Sequence, residues 1–253
     1  MSKNDRTVHF HSLAFQKDPT MTRTLRNAYE RRLARMFLKF RIKATMLVGG
    51  RVLEAAGPTR ISFVDLTDAI MFLMNDTITV PSGPLISQMV NESLKAGKQR
   101  AGVFLRSVGI QAVLGDVFVD PRVHEVIEER NIAALKGITD ELGKRIKAQL
   151  SEGIVKGEGM KKLAKRIAEA TDIPMNRARV MARTETMFAF NTAKDEEFRK
   201  YGVARVEWVA ALDERMCPTC GSYHGKVFPI DECPPCPNHP NCRCTTIPYI
   251  EED

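Results

Sequence analysis

The amino-acid sequence predicts an α+β protein that is mostly helical, with helical N-terminal and middle parts followed by a small β-rich C-terminal module. Before residue 202, apolar residues recur at steps of three and four, which is typical of amphipathic helices. Just after that point, apolar and polar residues alternate as in a strand. All six cysteines follow, between Cys217 and Cys244, so the end of the chain is built differently from the rest.

The composition supports a packed core of ordinary size. The chain has 253 residues, of which 43% are hydrophobic and 27% charged, so we expect one large domain or two modest ones. No run approaches the roughly 20 apolar residues that span a bilayer. No apolar run follows Met1, so a secretory signal is not expected. We therefore expect a protein that is made in a cytosol-like compartment and has no membrane partner.

The chain is predicted to fall into three regions. We expect a flexible arm over residues 1–20, a basic helical domain over 21–120, and a last domain over 121–253. In the last domain, helices (121–202) precede a cysteine- and histidine-rich knot (203–250). The first helix should bury a face made of Leu25, Tyr29, Leu33, Met36, Phe40, Ala44 and Leu47.

Glycine and proline predict where the elements begin and end. Gly49-Gly50 and Gly57-Pro58 should interrupt or end the first helix, and Gly202 should end the last one. Further helices are predicted at residues 63–74, 85–108, 124–150, 160–170 and 176–201, with a helix start at Asp120-Pro121. Turns or loops are predicted at 81–84, 151–159 and 172–174, and strands at 205–211 and 244–249, with an ambiguous run at 114–120.

Positive charge is concentrated near the N-terminus. Ten lysines and arginines lie between residues 21 and 60, opposed by Glu30 and Glu54, which gives that segment a charge of +8. A field of this kind attracts polyanions or acidic protein surfaces. The residues predicted to make a non-specific contact with DNA or an acidic partner are Arg32, Arg35, Lys39 and Lys43. The alternative interpretation is a basic solvated helix face.

The cysteine spacing predicts a zinc knot. Two-residue gaps separate Cys217 from Cys220 and His239 from Cys242, and such a gap lets a tight turn aim both side chains at one ion. Cys217, Cys220, His239 and Cys242 together form a predicted Cys3His site for Zn2+. The surplus ligands Cys233, Cys236, Cys244 and His224 leave open a shared or second site. The alternative is a set of buried thiols or disulfides.

The predicted zinc is structural, and no catalytic residues are assigned. A proline-rich tail of this size buries too little apolar area to fold alone, and zinc binding supplies the missing free energy. The nucleobase-deaminase signature and the His-Glu-x-x-His helix are both absent from the sequence. The competing interpretations are a zinc-dependent nuclease, a toxin-like effector, and a zinc-ribbon protein that binds nucleic acid.

The C-terminal motifs resemble a known family. They are Trp208-Val-Ala-Ala-Leu-Asp213-Glu-Arg215-Met-Cys217-Pro-Thr-Cys220, then Gly225-Lys-Val-Phe228, then His239-Pro-Asn-Cys242-Arg-Cys244, with Arg183-Thr184-Glu185 and Asn191 upstream. Together they resemble the phage Mu F-type head morphogenesis proteins over residues 125–248. The pair Cys233 and Cys236 departs from the family pattern, so the ligand assignment stays open.

The resemblance implies a minor capsid protein of a tailed phage. Such a protein is expected in the virion, inside the head or at the neck, after assembly in the host cytoplasm. Its expected partners are the portal protein, capsid and scaffold proteins, and DNA.

The Arg-Thr-Glu helix is predicted to pin the knot. Arg179, Arg183 and Glu185 lack oppositely charged neighbours three or four positions away on the helix. We expect Arg183, Thr184 and Glu185 to hold the helix to the knot through Asp213 or Arg215. Arg179 and Trp208 are also predicted to have structural or interaction roles. The alternative is a plain solvated face.

Overall fold

The structure is a computed structural model that describes residues 18–54, 63–112 and 120–250. The helices are α1 (Arg23–Glu54), α2 (Phe63–Met74), α3 (Val80–Ser107), α4 (Pro121–Val155), α5 (Met160–Lys200) and α6 (Pro218–Tyr223), with a π-helical turn at Asn75–Thr79. The strands are β1 (Arg205–Val209), β2 (Val227–Pro229) and β3 (Thr245–Tyr249). The predicted fold class, mostly helical with a small β-rich C-terminal module, is confirmed.

Several predicted elements are confirmed at nearly the predicted positions. Helix α2 has the predicted bounds, and α4 begins at Pro121. Asp120 begins α4 as an N-cap would, because its carboxylate accepts a hydrogen bond from the Arg122 amide at 2.9 Å. On α1, Tyr29, Leu33, Phe40 and Ala44 are buried, and the other members of the predicted apolar face are half-buried.

Helices continue through Gly49-Gly50 and through residues 81–84, where glycine or proline predicts a break. Helix α1 passes Gly49-Gly50 and reaches Glu54, so the predicted interruption there is wrong. The predicted turn at 81–84 is also wrong, because these residues lie in the first turns of α3. Proline crowds the carbonyl four residues earlier and offers no amide donor. For Pro81 that carbonyl belongs to Thr77, inside the wider π-helical turn, where the α-helical hydrogen-bond pattern is already replaced.

Packing explains why the predictions for residues 151–159 and 172–174 differ from the structure. The predicted loop at 151–159 is helical as far as Val155, because Gly153 lies against Leu163 and leaves no space for a side chain of its own. The predicted punctuation at 172–174 is wrong, since α5 is continuous from Met160 to Lys200 with Pro174 inside it. Ile167 and Ala178 are fully buried on either side of that proline, and their burial outweighs the local cost.

Helix α5 ends at the predicted glycine. Gly202 has φ of +73°, a left-handed conformation that glycine adopts without steric cost. The Val203 amide donates to the Phe198 carbonyl at 3.0 Å, and the Gly202 amide donates to the Arg199 carbonyl at 3.0 Å. This pair of bonds is the Schellman motif, which turns the chain directly into β1.

The strands form one antiparallel sheet in the order β2-β1-β3. In the centre of the sheet, Val206 lies opposite Phe228 on one side and Pro248 on the other. The predicted strands at 205–211 and 244–249 correspond to β1 and β3, whereas β2 and α6 were not predicted. Val206 and Trp208 are buried on one face of β1, whereas on the other face only Val209 is buried and Arg205 is exposed.

The described residues divide into two compact units. The sheet unit contains residues 18–28, 88–112, 120–128 and 183–250, and the helix unit contains 29–54, 63–87 and 129–182. Each unit therefore combines residues from both sides of the predicted domain boundary at residue 120, and that boundary stays a prediction.

Three predictions fall outside the described residues. They are the arm up to residue 17, the break at Gly57-Pro58 and the ambiguous run at 114–119. No helix in the described part of the chain is long and apolar enough to cross a membrane.

In the sheet unit, α3 and α5 touch at a glycine. A Cβ added to Gly97 would lie 2.2 Å from the Phe190 carbonyl oxygen and 3.1 Å from the Ala193 Cβ. Only glycine lets the two backbones approach this closely.

Gly97→Ala should therefore destabilise the chain by about 1–3 kcal/mol, because the backbones must separate. Gly137 is the matched control, since it is an exposed helical glycine with open space around its Cα. Gly137→Ala should stabilise by about 0.5–1 kcal/mol through helix propensity alone. Urea denaturation of both variants measures the difference. Equal stabilisation by the two substitutions would contradict the close contact.

Candidate metal centre

The first part of the site is the turn that begins α6. Cys217 is the N-cap of that helix, and its sulfur accepts a hydrogen bond from the Cys220 amide at 3.3 Å. Pro218 occupies the first helical turn, where its missing amide donor costs nothing. The cap geometry therefore turns both thiols of the Cys-Pro-Thr-Cys segment toward the same point.

His239 completes the first group of ligands. Its Nε2 atom lies 3.2 Å from the Cys217 sulfur and 3.3 Å from the Cys220 sulfur. Its Nδ1 atom lies 2.8 Å from the Pro240 carbonyl oxygen. A proton on Nδ1 would be donated to that carbonyl, which leaves the Nε2 lone pair facing the thiols, the tautomer that a metal requires.

Cys220 also belongs to a second group, with Cys242 and Cys244. Within each group the candidate ligand atoms all lie within 4.8 Å of one another. The Cys220 and Cys242 sulfurs are 3.9 Å apart. Tetrahedral zinc with bonds of about 2.3 Å to sulfur and about 2.0 Å to nitrogen separates its ligand atoms by roughly 3.5–3.8 Å. The measured separations fit a metal ion, and the three thiols of the second group are at most 4% exposed.

The thiol pKa values diverge within the cluster. Hydrogen bonding from the Cys220 amide lowers the pKa of Cys217, and hydrogen bonding from the Cys244 thiol lowers that of Cys242 to about 5. Burial raises the pKa of Cys220 to about 12, and the Cys242 thiolate together with burial raises that of Cys244. The Cys242 thiolate therefore lies beside thiols that keep their protons. A metal ion binding here would displace those protons.

The other surplus ligands, Cys233, Cys236 and His224, join neither group. Cys233 and Cys236 are partly buried against an apolar cluster that contains Trp208 and three of the candidate ligands, Cys220, Cys242 and Cys244. Burial raises the pKa of Cys233 to about 11. The His224 Nδ1 atom accepts a hydrogen bond from the Ala210 amide at 3.3 Å, at the end of β1. Among the described residues, none of these three belongs to a group that could hold an ion, whereas Cys244 does.

An aromatic wall supports the cluster. Trp208 is fully buried and packs edge-on against Tyr223 with a ring separation of 5.3 Å. Tyr223 packs in the same way against Phe228 at 6.0 Å. Because Tyr223 closes α6, the wall fixes the short helix that carries Cys220 against β1 and β2.

A bidentate ion pair closes the loop before Cys217. Both guanidinium nitrogens of Arg243 donate to the Asp213 carboxylate, which also accepts from the Arg215 amide at 3.0 Å. The Arg243 guanidinium holds the pKa of Asp213 well below its usual range. Since Arg243 lies between Cys242 and Cys244, this pair ties the two halves of the ligand set together.

The Arg-Thr-Glu segment touches the knot through its threonine. The Asn241 amide donates to the Thr184 hydroxyl oxygen at 3.1 Å. Arg183 lines one cavity with Asp213 and Arg215, the partners predicted for this helix, and Glu185 is 5% exposed. Arg179 donates to Asn176 on its own helix at 3.3 Å. The pinning role of this segment stays a prediction.

Lys194 is a residue that the sequence analysis missed. It is fully buried, and its ammonium donates to the Thr245 hydroxyl, the Thr246 carbonyl and the Thr246 hydroxyl at 2.5–3.0 Å. Asp195 lies 3.0 Å from the same ammonium and accepts from Thr246. Asn191 accepts from the Thr245 hydroxyl at 2.7 Å. This polar network fastens β3 to α5, directly after Cys244.

A sequence signal for Lys194 exists. It lies four residues after Phe190 and four before Phe198, both fully buried, so it occupies the apolar face of the helix. A lysine at such a position needs buried acceptors.

The predicted polyanion residues are on the surface of the helix unit. Arg32, Arg35, Lys39 and Lys43 are all exposed along α1. The Lys43 ammonium also lies 3.9 Å from the Asp76 carboxylate. An exposed ion pair at this distance contributes little to the stability of the fold. The exposed apolar residues Leu38, Ile42 and Met46 lie among them.

Fold and site together define a class of protein: a mostly helical chain ending in a small antiparallel sheet with a cysteine and histidine cluster. Residues 144–247 match the family described as Phage Mu protein F like protein, which confirms the predicted resemblance over that segment. An uncharacterized protein of Haemophilus influenzae is 28% identical over 130 residues, 49% of this chain and 28% of that protein. The chain thus spans less than a third of that relative's length. No solved structure matches.

Lys194→Met should destabilise the sheet unit by about 3 kcal/mol, because it leaves buried acceptors without their donor. Lys161→Met is the control, since Lys161 is exposed on the same helix, and it should change stability by less than about 0.5 kcal/mol. Chemical denaturation followed by Trp208 fluorescence measures both. Equal stabilities of the two variants would contradict the role of the buried ammonium.

Proposed function

We propose that this protein is a minor head protein of a tailed phage, acting in head assembly as a structural component of the virion and not as an enzyme. The observation that carries the proposal is the match of residues 144–247 to the Mu F family. That segment includes both candidate ligand groups, the Asp213–Arg243 pair and the Lys194 network. The segment that matches the family therefore contains the candidate metal centre together with the ion pair and the polar network that support it.

The cluster holds one structural Zn2+ in this proposal. Cys217, Cys220 and His239 supply three ligands, and Cys242 or Cys244 supplies the fourth. The preference for zinc rests on the donor set, because thiolate and imidazole ligands at tetrahedral separations suit that ion. The buried thiols favour a closed, structural site over a catalytic one, which needs an open coordination position. Zinc bound here would contribute on the order of 10 kcal/mol to folding of the knot.

The proposed partners are the portal protein, other head and scaffold proteins, and DNA. The exposed basic face of α1 supports contact with a polyanion or an acidic protein surface. Its interleaved apolar residues, Leu38, Ile42 and Met46, are 46–67% exposed and would add buried area in a protein interface. A phosphate backbone would be bound without sequence preference and with a steep dependence on salt.

Cys220→Ser should abolish zinc binding, because Cys220 belongs to both ligand groups. Cys233→Ser is the control and should keep the metal, since its thiol belongs to neither group. Cys242→Ser and Cys244→Ser, compared with each other, identify the fourth ligand by the larger loss of affinity. Elemental analysis of the purified full chain gives the zinc content of each variant. Full zinc content in Cys220→Ser would refute the proposed site.

Purified DNA-filled heads of the encoding phage should contain this chain in few copies, because a minor head protein is assembled into the particle. Quantitative mass spectrometry against the portal protein measures the ratio. Absence from the particles would contradict the proposal. DNA cleavage by the purified chain would also contradict the proposal if Cys220→Ser abolished that cleavage, because such a result supports a zinc-dependent nuclease.

A further inference from the structure

The sheet unit contains a cavity lined mostly by arginine. Its volume is 430 Å³, within the range of roughly 300–1,000 Å³ that small-molecule sites occupy. The lining residues come from the start of α1, from α5, from the loop before Cys217 and from the Cys242–Cys244 segment. They are Asp18, Arg23, Arg26, Asn27, Arg183, Asp213, Arg215 and Arg243.

The two carboxylates in the cavity do not balance its five guanidinium groups. Asp213 is engaged by Arg243 and by Arg215. Asp18 accepts from Arg26 at 2.9 Å, from the Arg23 amide at 3.0 Å and from Thr20 at 2.8 Å. Formal charges leave an excess of three positive charges around one partly open cavity. The N-terminal end of α1, which begins at Arg23, adds the positive end of a helix dipole.

Arg26 is the group in this cavity whose bonding is incomplete. It is 7% exposed, and its Nε atom has no hydrogen-bond partner among the described residues. Burial lowers the pKa of Arg26 despite the opposing effect of Asp18, and the positive charges of Arg243 and Arg183 lower it further. A buried cation with one unsatisfied donor and several like charges around it is costly, so the site favours an added anion.

We propose that this cavity binds a phosphate group. Guanidinium groups bind phosphate oxygens with paired hydrogen bonds, and a phosphate dianion offers several acceptors to arginines converging from different segments. A bound phosphate offsets the excess positive charge and accepts hydrogen bonds from the guanidinium groups that line the cavity. The site is separate from the exposed basic face of α1, and it goes beyond the proposed structural role.

The phosphate has two possible sources with the same chemistry. One is a free phosphate or a small phosphorylated molecule that occupies the cavity. The other is the terminal phosphate of a DNA strand. Inorganic phosphate tests the shared chemistry. Competition by a short duplex with and without 5′-phosphates distinguishes the sources. If the site binds a DNA end, only the duplex that carries 5′-phosphates displaces inorganic phosphate, whereas neither duplex does so if the site binds only small molecules.

Isothermal titration of the full chain with inorganic phosphate is the experiment. Arg23→Gln and Arg215→Gln should each weaken binding roughly tenfold, because each removes a charged donor from an exposed side of the cavity. Arg106→Gln is the control, an exposed arginine on α3 that does not line the cavity, and it should leave the affinity unchanged. Asp18→Asn should tighten binding several-fold, since it removes an opposing negative charge and keeps the side-chain shape.

The opposite effects of Asp18→Asn and Arg23→Gln separate binding from folding, because a variant that merely loosens the cavity does not gain affinity. The proposal is overturned if the wild-type chain does not bind millimolar phosphate. It is also overturned if the cavity variants bind phosphate as the Arg106→Gln control does.

Discussion

The buried ammonium of Lys194 is the interaction on which the C-terminal half of the sheet unit depends. It holds both threonines that begin β3, and β3 pairs with β1 along its whole length. A charged group remains buried only where its donors meet acceptors, and oxygens of Thr245, Thr246 and Asp195 surround this one. Since Cys244 immediately precedes Thr245, the same bonds place the last candidate ligand relative to α5.

The sequence predicts the long elements of the fold well and their breaks less well. Periodicity finds α1, α2 and α4 because their buried positions recur regularly, and Gly202 marks the end of α5 because no other residue type takes its φ so readily. Proline and glycine mislead at Pro81, Gly153 and Pro174. At each of these positions packing or a π-helical turn compensates for the local preference, and single-residue propensities contain no information about such partners.

The cysteine spacing predicts which residues approach one another, because a two-residue gap fixes local geometry. The spacing selects Cys242 as the fourth ligand, yet the structure also brings Cys244 into one group with Cys220 and Cys242, and that proximity depends on how β3 is held. Asp213 illustrates the same limit. The sequence indicates that its charge matters, yet its partner Arg243 lies 30 residues away and follows from the tertiary fold. The arginine cavity is also invisible in sequence, because its members come from four distant segments.

The division into units has a consequence for biosynthesis. The described residues of the helix unit end at position 182, so on the ribosome that unit has its full complement before the knot is made. The sheet unit joins residues 18–28 and 88–112 to a segment that ends at residue 250, and such distant pairings form slowly because long loops must close first. The early segments of the sheet unit therefore remain unpaired, with apolar surface uncovered, until residues 183–250 emerge from the ribosome. A chaperone would be needed most during this interval.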